Sequence, residues 1–139
     1  ALIVFASRWH STETMAQTIA EAFTEKGEPV KLFDLKQTHI SDIVVSLLDC
    51  KYVAVGSPTL NNNMLPTVAA FLCYMKGLSP KNRQAFSFGS YGWGGQANGQ
   101  IEEELKKCGF DICLETLKIQ YIPSEEQLKE LSEKIKSLK

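Results

Sequence analysis

Glycine is missing from the first loop of this chain, histidine is scarce, and long apolar runs do not occur. The loop Ser7-Arg8-Trp9-His10-Ser11-Thr12 therefore cannot form the G-x-G-x-x-G turn of a nicotinamide-binding enzyme. No G-K-[ST] triplet offers a P-loop, and the first and third strand ends carry Ser7 and Ser57 where a phosphorelay receiver needs acidic residues. His10 and His39 are the two histidines, and no metal site is expected. Cys50, Cys73, Cys108 and Cys113 make no C-x-x-C pair, and the Cys108–Cys113 spacing suits no zinc site. Every apolar stretch falls short of the ~20 residues of a membrane span. The net charge of −1, without a basic stripe, gives no field for nucleic acid.

What is present describes an ordinary globular chain, 44% hydrophobic and 22% charged. Residues 1–139 are expected to form one domain with a single real core. A chain of this size needs no disulfide staples, so the cysteines are read as reduced, mostly buried thiols of a cytoplasmic protein. The sequence opens on strand residues without an initiator Met or a signal peptide, as a processed protein or a domain of a longer one would.

Strand and helix patterns alternate from end to end. The apolar run Leu2-Ile3-Val4-Phe5 precedes Met15, Ile19, Ala20 and Phe23 at helical spacing, up to Gly27. Residues 29–35 read as a second strand and 40–48 as a short helix. Tyr52-Val53-Ala54-Val55 is a third strand, followed by a helix carrying Val68, Phe71, Leu72 and Met75 and closed at Gly77. Residues 85–88 form a fourth strand, 100–107 a helix ended by Gly109, and 112–121 a fifth strand. Ser124 and Gln127 offer a capping box to a last helix with Leu128, Leu131, Ile135 and Leu138. Five β/α units predict an α/β fold in three α/β/α layers, with a five-stranded parallel sheet.

Ligands of such sheets bind beyond the carboxyl ends of the strands, where strand order reverses. In the order 2-1-3-4-5, the loops after strands one, three and four surround that crevice. The first is rich in hydroxyls and opens a helix, whose unpaired N–H donors and dipole favour a phosphate. The second, Ser57-Pro58-Thr59-Leu60-Asn61-Asn62-Asn63, is polar and uncharged. The third, Ser90-Tyr91-Gly92-Trp93-Gly94-Gly95, sets two aromatics among glycines, where backbone approaches closely and a ring can stack. Together they describe a site for a phosphorylated planar heterocycle. Simpler readings exist for each: Ser11 or Thr12 as a plain N-cap, Trp9 as a plug over a strand end, and the asparagines as a turn cluster. His39 reads as exposed, and Met64 and Met75 as core.

These residues carry a family resemblance. The runs Ser7 to Ala16, Gly56 to Asn62 and Phe88 to Trp93 resemble the flavodoxin-like domain of flavodiiron proteins (A-type flavoproteins), over essentially the whole chain. The resemblance implies a flavodoxin-like fold, FMN as cofactor and single-electron transfer between a redox donor and an acceptor. It places Ser7, Trp9, His10, Ser11 and Thr12 around the ribityl phosphate and Thr59, Leu60, Asn61 and Asn62 along the dimethylbenzene-to-N5 side, with Arg8, Ser57 and Pro58 in the same loops counted among the cofactor-binding residues. Ser90, Tyr91, Gly92, Trp93, Gly94 and Gly95 fall at the aromatic face and near N1 and O2. His10 departs from a common Gly in the phosphate turn, and Asn63 from a Gly after the paired asparagines. Arg8 adds a charge that either pairs with the phosphate or faces solvent.

Electron transfer needs no acid, base or nucleophile, so no catalytic residue is assigned. The flavin supplies the chemistry and the protein tunes it. A backbone group at residues 59–62 bonding N5 would favour the one-electron reduced form. Apolar surroundings at Leu60, Tyr91 and Trp93 would disfavour a reduced anion and lower its potential. Expected partners are redox proteins or domains as donor and acceptor, with no nucleic acid and no membrane. A covalently linked diiron domain is implied for a flavodiiron relative, but not by the residues of this chain. The alternatives are a flavin-dependent quinone or azo reductase and a cofactor-free interaction module of the same fold.

Overall fold

The computed structural model describes residues 1–6, 11–38, 40–47, 50–57, 66–78, 84–91, 96–114, 117–120 and 124–138. Its elements run β1 (Leu2–Phe5), α1 (Ser11–Glu25), β2 (Lys31–Asp34), α2 (Ile40–Leu47), β3 (Tyr52–Gly56) and α3 (Pro66–Leu78). They continue with β4 (Gln84–Tyr91), α4 (Gln96–Lys107), β5 (Asp111–Ile112), β6 (Leu117–Gln120) and α5 (Glu125–Lys136). Every strand pairing is parallel, in the order β2-β1-β3-β4-β5, and β6 also pairs with β4.

Alternation along the strands divides the interior into two layers. Leu2, Val4, Val53, Val55 and Ala85 face α2, α3 and α4, meeting Ile43, Phe71, Leu72, Met75 and Leu105. Ile3, Phe5, Ala54, Phe86 and Phe88 face α1 and α5, meeting Met15, Ile19, Phe23, Leu131 and Ile135. The chain steps from β1 outward to β2 and then back across to β3. Right-handed crossovers running in opposite directions land on opposite faces, which separates α1 from α2, α3 and α4. With both faces covered, β1 and β3 are buried at every position.

Two of the three helix stops read from glycine are Schellman closures. Gly27 adopts φ +90° and Gly109 φ +88°. The Glu28 N–H donates to Phe23 O and the Gly27 N–H to Thr24 O, each at 3.0 Å. At α4 the Phe110 N–H donates to Leu105 O (3.2 Å) and the Gly109 N–H to Lys106 O (3.0 Å). Gly77 behaves differently from expectation: α3 runs through it to Leu78. Glycine lacks a Cβ but tolerates helical dihedrals, and so weakens a helix without obliging it to stop. At α5 the capping box forms, with Ser124 Oγ accepting from the Gln127 N–H and the Ser124 N–H donating to Gln127 Oε1.

The fifth strand is divided. Ala85 lies opposite Ile112 and Phe88 opposite Leu117, so the register advances five residues on this side against three on β4. None of the four cysteines is in a disulfide, and only Cys108 is buried; Cys73 is exposed because the inner face of α3 is already filled by Val68, Phe71, Leu72 and Met75.

Candidate functional site

The carboxyl ends of β1, β3 and β4 lie side by side. Phe5 is level with Gly56, and Gly56 with Phe88. Beyond that row the Ala6 N–H donates to Gly56 O (3.1 Å) and the Ser57 N–H to Phe88 O (3.2 Å). β4 then continues to Tyr91, three residues past Phe88. Each of the three special loops therefore leaves the sheet from one edge, and β1 and β3 flank the point where strand order reverses.

Two sequence-selected hydroxyl residues sit here fully buried, Thr12 in the first turn of α1 and Ser57 just past β3. Ser11 begins α1, and Ser90 and Tyr91 end β4. Ser7, Arg8, Trp9, His10, Pro58, Thr59, Leu60, Asn61, Asn62, Gly92, Trp93, Gly94 and Gly95 lie outside the described residues, as do His39, Asn63 and Met64. Met75 is core, as read from its helical position.

Three further features of the structure have no counterpart in the loop reading. Ser87 is a buried hydroxyl residue on β4, between the buried Phe86 and Phe88. Gly56 takes the ring of Phe88 so closely that a Cβ placed on it would lie 2.8 Å from Phe88 Cδ2 and nearer still to Cε2 and Cζ. A cavity of about 330 Å³ opens between β6 and α5, bounded by Leu117, Ile119, Leu131, Lys118, Glu130 and Lys134 among others. None of its lining residues is a candidate cofactor-binding residue.

Burial pushes the Cys113 thiol from its ordinary value of 9 up to about 11, and its Sγ lies 3.7 Å from Ala85 O. Cys113 is thus a protonated thiol at neutral pH and no nucleophile. No group of three or more metal-ligating side chains occurs among the described residues, and none of their helices is long and apolar enough to cross a membrane.

The profile of the flavodoxin family matches residues 3–135. The chain belongs to the flavodoxin family. Its relatives include the rubredoxin-oxygen oxidoreductase of Megalodesulfovibrio gigas, 42% identical over 137 residues, which cover 96% of this chain and 34% of that protein. The solved rubredoxin oxygen:oxidoreductase from Desulfovibrio gigas superposes with a TM-score of 0.95 at 39% identity, over 99% of this chain and 34% of its own. The flavodiiron protein of Giardia intestinalis gives 0.90 at 32% identity, again over 99% of this chain and 34% of its own. An archaeal flavodoxin gives 0.85 at 26% identity and is covered nearly end to end, 97% of each chain. The flavodoxin domain thus spans about a third of the curated relatives it matches, and in the flavodiiron proteins that third is their flavodoxin-like part.

FMN is the cofactor of such domains, and electron transfer is their work. The described crest fits that group. Thr12 and Ser57 bring hydroxyls, and α1 brings the positive end of its dipole to the edge where a phosphate would lie. When bound, FMN supplies single-electron chemistry that no side chain here can supply.

Proposed function

We propose that residues 1–139 act as one flavodoxin-like domain. In this reading it passes single electrons from a protein donor to a protein acceptor, with FMN held by the loops at 7–12, 57–62 and 90–95. The observation that carries this reading is the shared root of those loops on three adjacent strand ends, beside the start of α1. Ser7 to Thr12 hold the phosphate, Ser57 to Asn62 line one ring edge, and Ser90 to Gly95 set aromatics and backbone N–H groups against the other. The chain's residues bind, orient and dehydrate the cofactor without moving a proton themselves.

The acceptor in this reading is a diiron domain, linked in the same polypeptide or docked beside it. The name rubredoxin-oxygen oxidoreductase makes reduced rubredoxin a reasonable donor to try. Four cysteines without a disulfide among them suit a reducing, cytoplasmic setting.

FMN titration of the apo-protein, followed by flavin fluorescence, tests the site. Wild type is expected to bind one FMN, and Trp93→Ala, Asn61→Ala and Ser7→Ala each to bind more weakly, with Trp93→Ala also changing the redox potentials. Three folded variants with wild-type affinity would remove the three loops from the site.

A further inference from the structure

The row Phe5, Gly56, Phe88 crosses the sheet at its carboxyl edge, on the face covered by α1. The middle position has no side chain, and the Phe88 ring, fully buried, leans into that hollow. Gly56 needs no unusual backbone freedom here: among the described residues the positive-φ glycines are Gly27 and Gly109. Glycine is required at residue 56 by the neighbouring ring, because real Cβ atoms essentially never come within 3.0 Å of such a contact. The same two residues hold the strand ends together through backbone bonds. Gly56 O accepts from Ala6, the last described residue before the first loop, and Phe88 O accepts from Ser57, the first residue of the second.

We propose that Gly56 and Phe88 are a positioning pair for the cofactor. The ring seated on the bare glycine sets the separation of β3 from β4, and hence the spacing among the three loops. This rests on the reading of those loops as the FMN site, and neither residue is taken to touch the flavin. A Cβ at residue 56 must displace either the ring or the end of β3. A ring as rigid and enclosed as Phe88 cannot swing away, so the displacement reaches Ser57 and the loop it starts. Shifts of about 1 Å in groups that position a ligand cost on the order of a hundredfold in function.

The test compares four proteins: wild type, Gly56→Ala, Phe88→Leu and the double variant. Gly99→Ala serves as a control, since a Cβ there meets nothing within 4 Å. FMN affinity, the visible spectrum of the bound flavin and the amide chemical shifts of Ala6 and Ser57 in the apo-protein are read for each. Gly56→Ala is expected to bind FMN roughly ten- to a hundredfold more weakly, with a changed flavin spectrum and shifted amides. Leucine lacks the two nearest atoms, Cε2 and Cζ, and its remaining Cδ2 can rotate away about χ2, so the double variant should bind FMN within about threefold of Phe88→Leu alone. If Gly56→Ala does not fold, recovery of folding and binding in the double variant still supports the pair. A folded Gly56→Ala with wild-type affinity and spectrum overturns the proposal, and so does a double variant as impaired as Gly56→Ala. Failure of wild type to bind FMN would instead sink the site reading, which separates the two ideas.

Discussion

Two glycines in open surroundings should respond to the same substitution with opposite signs. A Cβ on Gly27 or on Gly99 meets no atom within 4 Å, so packing plays no part at either position. The difference is backbone alone. Gly27 holds φ +90° at the end of α1, where an L side chain costs about 1–2 kcal/mol. Stiffening the unfolded chain returns about 0.4–1 kcal/mol, leaving Gly27→Ala roughly 1 kcal/mol less stable. Gly99 is an exposed position inside α4, where alanine gains about 0.5–1 kcal/mol over glycine. With melting temperature moving by about 4 °C per kcal/mol in a chain of this length, Gly27→Ala should melt about 4 °C lower and Gly99→Ala about 3 °C higher. Thermal and urea denaturation of the apo-proteins, checked for reversibility, read both. Gly27→Asn should fall between Gly27→Ala and wild type, because asparagine tolerates positive φ better. Shifts of the same sign for the two alanine variants would refute the backbone argument.

Two further outcomes follow from the caps and the thiols. Ser124→Ala should cost about 1 kcal/mol, and combining it with Gln127→Ala should cost less than the sum, because the two side chains close one reciprocal box; additive losses in urea titrations would deny the coupling. Cys113 ionises near 11 folded against 9 in its ordinary state, so between those values the unfolded chain holds fewer protons and stability falls as pH rises. Wild type should therefore lose stability relative to Cys113→Ala across pH 9 to 11 and not below it, and parallel pH profiles for the two would count against a buried thiol.

The parts of the fold legible in the sequence are those fixed by neighbours along the chain. Ser124 and Gln127 announce α5 three residues apart, and Gly27 and Gly109 end helices through bonds that reach back five residues at most. The apolar runs of β1 and β3 show burial on both faces for the same local reason. What was not legible depends on contacts distant in sequence. The division of β5 from β6 goes with a register in which Ile112 and Leu117, five apart, face Ala85 and Phe88, three apart. The length of β4 past Phe88 is set by β6, since Gly89, Ser90 and Tyr91 pair with Lys118, Ile119 and Gln120. For the candidate site, hydroxyls, asparagines and clustered glycines single out the three loops in the sequence, and the strand order brings the roots of those loops to neighbouring strand ends. The fit of Phe88 on Gly56 joins residues 32 positions apart and leaves no local mark beyond a glycine at a strand end.

The interruption between β5 and β6 also bears on how molecules of this protein meet one another. An outermost strand offers a row of unsatisfied amides and carbonyls on which a second polypeptide can template itself. Here the described strands paired to the outer side of β4 are two and four residues long, and the longer carries the exposed Lys118, a residue type that discourages edge pairing. In the proposed reading, a domain that meets its partners through the sheet's crest gains from a flank that discourages strand addition.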